Sequence, residues 1–358
     1  MRALMRQVKR VVEVIVDVVT TLVGSIYNGT GKWQGGTLAP NGKIYFAPAN
    51  ATQILELDPD TGITALVGSI YSGSGKYNGS VLAPNGKIYF VVYSGATQIL
   101  ELDPETLITT LVGSVLSESN RWQGGTLALN GKIYFAPSSA TQILELDPET
   151  LITTLVGSSY SGTGKYSGNI LAPNGKIYFA PRNATQILEL DPDTGITALV
   201  GSVYSGTNKY SGGTLALNGK IYFTPLDATQ ILVLDPETLI TTLVGSVYSG
   251  TNKWHIGGFL APNGKIYFAP RNATQILELD PDTGITALVG SVYSGTDKWI
   301  GGTVLAPNGK GYASNFSYTK ILEISNVDSP NLLGSDAQIP ADLADLATSN
   351  YNKYYNKF

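Results

Sequence analysis

The stretch KWHIGGFLAPNGKIYFAPRNATQILELDPDTGIT, from Lys253 to Thr286, decides the fold, because close variants of it occur six more times in this chain of 358 residues. Each copy contains the tripeptide Asn-Gly-Lys, and successive tripeptides begin 44 or 45 residues apart. A fixed period of this length is the signature of a repeat architecture. The tripeptides begin at Asn41, Asn85, Asn130, Asn174, Asn218, Asn263 and Asn308.

Each repeat contains four short strand-like runs separated by turn residues, which in the first copy are GGTLA, KIYFAP, ATQILELD and ITALVGS. The pair Asn41-Gly42 favours a tight hairpin turn, and Pro59 with Gly62 favours a second one. Four strands in a unit of this length are typical of a propeller blade. We therefore predict an all-β fold, a seven-bladed β-propeller of four-stranded antiparallel blades with N- and C-terminal extensions.

A single blade cannot be stable alone. Its roughly seven large apolar side chains contribute about 1.5 to 3 kcal/mol each on burial, against about 1.5 kcal/mol of entropy for every ordered residue. Blades stacked face to face bury both surfaces of each sheet. A closed ring also leaves no exposed sheet edge between blades, whereas the alternative, an open solenoid, needs atypical capping repeats. We therefore expect a closed ring.

The residues KWxGG(T)LAPNGKIYFxPxxATQILELDPxT resemble a group of highly repetitive β-propellers that is broadly similar to the NHL and WD40-like superfamily. The resemblance covers about residues 20 to 335. No Trp-Asp dipeptide ends the third strand, so the chain departs from WD40 proteins proper. Because this superfamily includes enzymes, scaffolds and lectins, the resemblance implies a fold and transfers no activity.

The fourth strand of the repeat occurs once too often for seven blades. LVGS is found seven times, and a degenerate LLGS follows at Leu332. Either the N-terminal TTLVGS or the C-terminal PNLLGS completes the last blade, and the other segment is left to pair elsewhere, for example on an adjacent subunit. We divide the chain into an N-terminal extension (1–19), the propeller (20–335) and a C-terminal tail (336–358).

Both extensions carry further expectations. The N-terminal run predicts a short helix leading into a strand, and PADLADLATS in the tail predicts a short helix. Aromatic residues in the tail share one helical face and need a surface to cover. The residues assigned to assembly are Leu332, Leu333, Tyr351, Tyr354, Tyr355 and Phe358.

Composition excludes several classes of function. Charged residues form 14% of the chain, the net charge is −4 and the lysines are scattered, so nucleic acid is not an expected partner. There is no cysteine for disulfides or thiolate metal sites. The N-terminal apolar run contains Glu13 and Asp17, and it is too short and too charged for a membrane span or a signal peptide. We expect no cofactor and no metal.

Differences between the repeats concentrate in the turn after the second strand and in the loop that crosses to the next blade. In an up-and-down blade both lie on one face. Each crossing loop ends in a cation beside an aromatic residue, and such a ring could bind sugars as a multivalent lectin. The alternative is that the aromatic rings wedge between blades while the cations cover them. The pairs are Lys32-Trp33, Lys76-Tyr77, Arg121-Trp122, Lys165-Tyr166, Lys209-Tyr210, Lys253-Trp254 and Lys298-Trp299.

Other candidate residues are isolated. His255 is the only histidine, and it stands at an inserted position where an acid–base or metal role competes with that of an ordinary loop residue. It forms no recognisable set with Arg182, Asp227 and Arg271. The DPDTG turns lack the later carboxylate of a calcium loop. Glycosylation sequons begin at Asn28, Asn50, Asn78, Asn183, Asn272 and Asn315.

Three functions are compatible with these features. The preferred one is a non-enzymatic structural or interaction propeller that assembles through its terminal segments, with copies of itself or another structural protein as partners, on a cell or virion surface. The second is a lectin that binds glycans through the cation–aromatic pairs. The third, a lactonase-like hydrolase, needs an asymmetric polar cluster at the axis, which seven nearly equal blades do not predict. We therefore predict that the chain is not an enzyme.

Overall fold

The computed structural model describes residues 17–116 and 122–328, and all regular structure in these ranges is β-strand. Seven four-stranded antiparallel sheets follow one another around a ring, so the chain is a seven-bladed β-propeller, as the repeats predict. The N-terminal helix predicted within residues 1–16 and every expectation for residues 329–358 lie outside the described residues. The described ranges contain no helix that is long and apolar enough to cross a membrane.

The strands follow the four runs of each repeat, from the inner strand to the outer one. Blade 1 consists of β2 (Trp33–Leu38), β3 (Ile44–Pro48), β4 (Ile54–Leu57) and β5 (Thr64–Val67). Blade 2 consists of β6 (Tyr77–Leu82), β7 (Ile88–Val92), β8 (Ile99–Leu102) and β9 (Thr109–Val112). Blade 3 consists of β10 (Trp122–Leu127), β11 (Ile133–Pro137), β12 (Ile143–Leu146) and β13 (Thr153–Val156). Blade 4 consists of β14 (Tyr166–Leu171), β15 (Ile177–Pro181), β16 (Ile187–Leu190) and β17 (Thr197–Val200).

The remaining blades follow the same order. Blade 5 consists of β18 (Tyr210–Leu215), β19 (Ile221–Pro225), β20 (Ile231–Leu234) and β21 (Thr241–Val244). Blade 6 consists of β22 (Phe259–Leu260), β23 (Ile266–Phe268), β24 (Ile276–Leu279) and β25 (Thr286–Val289). Blade 7 consists of β26 (Trp299–Leu305), β27 (Gly311–Asn315), β28 (Ile321–Ser325) and, on its outer edge, β1 (Val19–Val23).

The ring closes through the N-terminal strand. β1 pairs antiparallel with β28, with Val19 opposite Ser325 and Val23 opposite Ile321. The first strand of the chain therefore serves as the fourth strand of the last blade. Of the two closing segments that the sequence left open, the structure uses the N-terminal one, and the C-terminal PNLLGS lies outside the described residues. The boundaries assigned to the extensions stay predictions.

The hydrophobic core lies between neighbouring blades. The second and third strands are almost wholly buried, because each sheet has another sheet against both of its faces. Between blades 7 and 1, Tyr312 and Ile321 pack in one cluster with Phe46 and Leu55. The boundary that joins the two ends of the chain is therefore packed like the others.

The two faces of the ring are made by different connections. The face formed by the turns that join the first strand to the second and the third strand to the fourth is here named the hairpin face. On it, Asn41 Nδ2 donates to the carbonyl of Pro104 in the next blade (3.0 Å), and Lys43 Nζ lies 2.6 Å from Glu56 Oε1. The loop face is formed by the second-to-third-strand loops and the crossing loops, where Lys76 N donates to Ala49 O (3.0 Å).

Blade 6 departs from the pattern at its inner strand. Blades 6 and 7 have one residue more than blades 1 to 5 between the crossing-loop lysine and the Asn-Gly turn. In blade 7 the longer inner strand stays continuous, but in blade 6 it is reduced to two residues and an isolated bridge between Trp254 and Pro270. The residues between these two parts include His255 and Ile256, and Ile256 adopts a positive φ of 44°.

Candidate functional site at the propeller axis

The lysines of the predicted cation–aromatic ring are buried at the boundaries between blades. Lys76 is 2% exposed, and its Nζ donates to the carbonyls of Ala49, Ala51 and Gly73 at 3.1, 2.8 and 2.8 Å. Each such ammonium group ties its own crossing loop to the second-to-third-strand loop of the preceding blade. The same arrangement recurs at Lys32, Lys165, Lys209, Lys253 and Lys298.

The aromatic partners of these lysines are also buried. The indole of Trp33 donates through Nε1 to Gln53 O (2.9 Å), and Tyr27 packs edge-on against its ring at 4.9 Å. The rings wedge between blades, which is the alternative interpretation of the sequence. The buried members are Trp33, Tyr77, Trp122, Tyr166, Tyr210, Trp254 and Trp299. Arg121 lies outside the described residues. A ligand-binding role for these pairs stays a prediction. A ligand would have to reach side chains that are buried in the folded chain.

The sequon asparagines fall into two groups. Asn78 and Asn315 are enclosed, so the folded chain has no room for a glycan on them. Asn50, Asn183 and Asn272 each accept a backbone N–H from the next crossing loop at 2.8 Å. Glycosylation of these three residues and of Asn28, which is exposed, stays a prediction.

The seven residues that follow the boundary aromatics, here named the axial ring, lie at the loop-face ends of the inner strands. All are buried, and Ser167 Oγ lies 2.8 Å from Ser211 Oγ of the next blade. Their chemistry changes from blade to blade, although the lysine and the aromatic class before them hardly change. The ring consists of Gln34, Asn78, Gln123, Ser167, Ser211, His255 and Ile300.

Close backbone approaches form the floor beneath the axial ring. A Cβ on Gly124 would lie 2.7 Å from the Cα of Gly168, so these inner strands meet at a distance that only glycine allows. Ile256 of the irregular blade 6 enters the same region. Its Cα lies 2.8 Å from the position of a Cβ on Gly212, and its carbonyl oxygen lies 2.6 Å from that of a Cβ on Gly302. The extra residue of blade 6 therefore fills space between blades 5 and 7.

His255 is the chemically distinctive member of the axial ring. It is 4% exposed, and its buried Nδ1 has no hydrogen-bond partner. Burial, reinforced by the positive charges of Arg271 and Arg182, holds the pKa of His255 well below its usual value of 6.5. The imidazole is therefore neutral at pH 7, and a neutral imidazole can accept or pass on a proton.

Arg182 and Arg271 occupy equivalent positions two blades apart, each directly after the sequence Phe-Ala-Pro of the second run of its repeat. Arg182 Nε donates to Asn208 Oδ1 (2.8 Å), and its Nη1 lies 3.4 Å from Oε1 of Gln123 in the axial ring. Arg271 Nε lies 2.7 Å from Asp297 Oδ1. Burial lowers the pKa of Arg182, and the positive charge of Arg271 lowers it further.

The sequence treated Arg182, Arg271 and His255 as unrelated, and the structure corrects this. Arg182 reaches Gln123 of the axial ring (3.4 Å), and the charges of both arginines help to lower the pKa of His255 in the same ring. Asp227, the fourth residue considered, lies beside them, where its Oδ1 accepts the backbone N–H of Asn252 (2.6 Å). The period of the repeat is the signal that could have found this group. Residues at the same position of different repeats lie at the same height and radius in a propeller, so Arg182 and Arg271 must lie around one axis.

The two faces differ strongly in charge. Among the described residues, the connections of the loop face carry nine cationic side chains and only two anionic ones, Asp227 and Asp297. The six Asp-Pro turns of the hairpin face carry twelve carboxylates, which outnumber the seven lysines of its Asn-Gly-Lys turns. In one of these turns Asp58 Oδ1 accepts the N–H groups of Asp60 and Thr61, which is a turn contact and not a calcium site. No group of three metal-ligating side chains occurs within residues 17–116 and 122–328.

The sequence matches no protein-family model and no curated protein. The fold is similar to that of a solved streptogramin B lyase, with a TM-score of 0.72 and 17% identity over 86% of this chain and 98% of the other. It is also similar to a catalytically inactive histidine-to-alanine variant of virginiamycin B lyase from Staphylococcus aureus with quinupristin, with a TM-score of 0.71 and 14% identity over 86% and 99% of the two chains.

A third similar structure is the extracellular domain of a putative hybrid two-component system from B. thetaiotaomicron. Its TM-score is 0.58 and its identity is 13%, over 84% of this chain and 40% of the other. These identities show the fold alone. The prediction that the chain is not an enzyme is contradicted, because it was drawn from the architecture, and a streptogramin B lyase shares this fold over 98% of its own length. The propeller fold therefore does not exclude catalysis.

Proposed function

We propose that the axial site on the loop face is a catalytic site for a small molecule and that His255 is its acid–base residue. The observation that carries this proposal is a buried imidazole with an unpartnered Nδ1, in the one blade whose inner strand is broken. A neutral imidazole can take a proton from a bound substrate, as an elimination requires, and a substrate group that neutralises Arg182 and Arg271 would raise the pKa of His255 towards the reaction pH.

The comparisons support the reaction class without fixing the substrate. One similar protein is a lyase, and its histidine-to-alanine variant is catalytically inactive. An elimination needs a base to take a proton and a group that leaves with its bonding electrons. In this chain, His255 would take the proton, and the guanidinium groups of Arg182 and Arg271 would stabilise negative charge that develops on the substrate.

Quinupristin is the first substrate to test, with its consumption followed by liquid chromatography at pH 7. The unaltered protein should consume it, and His255→Ser should slow the reaction at least about 100-fold. Serine is the residue of blades 4 and 5 at this position, so the variant should fold. Lys220→Ala, on the hairpin face and away from the axial ring, is the control and should leave the rate unchanged. Equal rates for the protein and His255→Ser would contradict the acid–base role.

The acid–base role can also be tested without a substrate. Because His255 is the only histidine, the imidazole nitrogens of tag-free ¹⁵N-labelled protein give a single set of signals. We expect a neutral ring at pH 7, as the low pKa of His255 requires. A protonated ring at that pH would end the proposal.

Assembly is a second candidate function. It is supported by an apolar belt on the outer strands, where one large leucine of each of six blades is 42 to 51% exposed. Copies of this chain are the partner that we propose, through the belt and the terminal segments. Light scattering of the full chain and of a chain ending at residue 335 tests this idea, and a monomer in both cases would contradict it. The belt consists of Leu66, Leu111, Leu155, Leu199, Leu243 and Leu288.

A further inference from the structure

Two arginines beside the axial ring keep donors that no described residue uses: Arg182 contacts Gln123 of the ring, and the charge of Arg271 acts on His255. A guanidinium group has five N–H donors, and it binds a carboxylate or phosphate group through two of them at once. Within the described ranges, Arg271 uses its Nε on Asp297, and Arg182 uses Nε on Asn208 and one Nη1 donor on Gln123 at 3.4 Å. Both side chains are anchored at Nε, which leaves their outer nitrogens for a ligand.

Positive charge at this site exceeds the negative charge beside it. Asp297 pairs with Arg271, but the equivalent partner of Arg182 is the neutral Asn208. Three ammonium groups lie behind the arginines, where Lys209 donates to the carbonyl of Arg182 itself (3.2 Å) and Lys253 and Lys298 hold the next two boundaries. Five cations thus accompany the two carboxylates of Asp227 and Asp297.

The rest of the molecule reinforces this local excess. The loop face is cationic and the hairpin face carries the twelve turn carboxylates, so the field of the protein draws small anions towards the loop face. In the axial ring, the buried Nδ1 of His255 also has no hydrogen-bond partner. An anion held by the arginines would lie beside this nitrogen.

From this geometry we propose that the axial site binds a small molecule through a carboxylate or phosphate group, held between the guanidinium groups of Arg182 and Arg271 and in front of His255. This inference rests on the proposed function because both concern the axial site, and it adds the chemical class of the ligand. Bound negative charge offsets the two arginine charges that act on the histidine. Binding should therefore raise the pKa of His255.

The imidazole signals of tag-free ¹⁵N-labelled protein report this binding directly. Inorganic phosphate and acetate are titrated separately at constant ionic strength, with chloride as the balancing anion. We expect a saturable shift with at least one of them and a higher pKa of His255 when it is bound. Saturation by phosphate alone assigns a phosphate group, and saturation by acetate alone assigns a carboxylate.

The repeats supply matched variants. Arg182→Ser places the residue of blade 3 in blade 4, and Arg271→Ala places the residue of blade 1 in blade 6, so both should fold. Each should weaken anion binding at least tenfold. Lys220→Ala removes an equal charge from the hairpin face, where this lysine lies 3.9 Å from its nearest carboxylate, and it should leave binding unchanged.

Two results would overturn the inference. The first is that neither anion gives a saturable shift of the His255 signals. The second is that Arg182→Ser and Arg271→Ala bind the anion as tightly as Lys220→Ala. Failure here is distinct from failure of the proposed function. Anion binding without any turnover would remove only the catalytic role, whereas turnover that is insensitive to both arginine variants would remove only the anion site.

Discussion

The hairpin face and the loop face are built by the same seven repeats, but only the hairpin face is nearly the same in every blade. On the hairpin face, the turn asparagine reaches a proline carbonyl of the next blade in six of seven cases. On the loop face, the boundary lysines are just as constant, and the residues beside them towards the axis vary. Constancy between copies therefore marks contacts between blades, and variation marks the candidate site.

The largest expected effect separates crowding at the axis from backbone strain on the hairpin face. Gly124 and Gly131 both belong to blade 3 and have φ values of +79° and +81°. A Cβ on Gly131 meets nothing within 4 Å, but one on Gly124 would lie 2.7 Å from the Cα of Gly168. Gly131→Ala should cost about 1 to 2 kcal/mol for the strained φ alone. Gly124→Ala should cost about 4 kcal/mol, because overpacking adds to the strain.

Urea unfolding of the two alanine variants measures this difference. Equal free energies of unfolding would show that the inner strands can separate without cost. The glycines at the axis would then be explained by their φ angles alone.

The next comparison uses two lysines of blade 5 on opposite faces. Lys209 is buried and donates to three carbonyl groups, at 3.2, 2.8 and 2.8 Å. Lys209→Met leaves these carbonyls without their donor and should lower the free energy of unfolding by about 3 kcal/mol. Lys220 is 45% exposed, and Lys220→Met should cost less than about 1 kcal/mol. Thermal and urea unfolding test both, and a larger loss for Lys220→Met would reverse the roles of the two faces.

The smallest effect concerns the response of the two faces to acid. The unfolded chain protonates His255 as the pH falls below about 6.5, and the folded chain does not, because its pKa is held lower. The free energy of unfolding should therefore fall as the pH drops below 6.5, by at most about 1.4 kcal/mol for each pH unit. His255→Ser should remove this slope between pH 6.5 and 5, and urea unfolding at both pH values checks it.

The hairpin face should respond only at lower pH. Backbone N–H groups of the turns hold the pKa values of Asp58, Asp103 and Asp147 below 3.8, so their stabilising contribution is lost only as the pH falls below that value. For the loop face, the contradicting result is a free energy of unfolding that depends on pH between 6.5 and 5 in His255→Ser as it does in the unaltered protein. The imidazole would then not be held neutral in the folded chain.

The fold was predictable because its signals are local. Asn-Gly turns and the period of the repeat define four strands per blade and seven blades without any knowledge of long-range contacts. The closing strand was not predictable, because TTLVGS and PNLLGS carry the same apolar pattern and either could pair with β28. Only the packed ring shows that Val19–Val23 fills this place.

The candidate site was only partly predictable. A lysine next to an aromatic residue has the same sequence whether its side chain is exposed or donates to three carbonyl groups. The burial of Lys76 could therefore not be inferred from the sequence. The extra residue of blade 6 was visible, but the same insertion leaves the inner strand of blade 7 continuous. The position of Ile256 near the axis follows from contacts with blades 5 and 7 that the sequence does not encode locally.

Closure through β1 has a topological consequence. β1 and β28, the first and last strands of the described residues, are partners, and Asn326 Nδ2 lies 3.5 Å from Asp17 O. A short linker between these two points would convert the composite seventh blade into one formed from continuous chain. New termini could then be opened in the crossing loop at Gly29, where a Cβ would meet nothing within 4 Å. Such a circular permutant should refold to the same ring, with its last blade completed by a local hairpin.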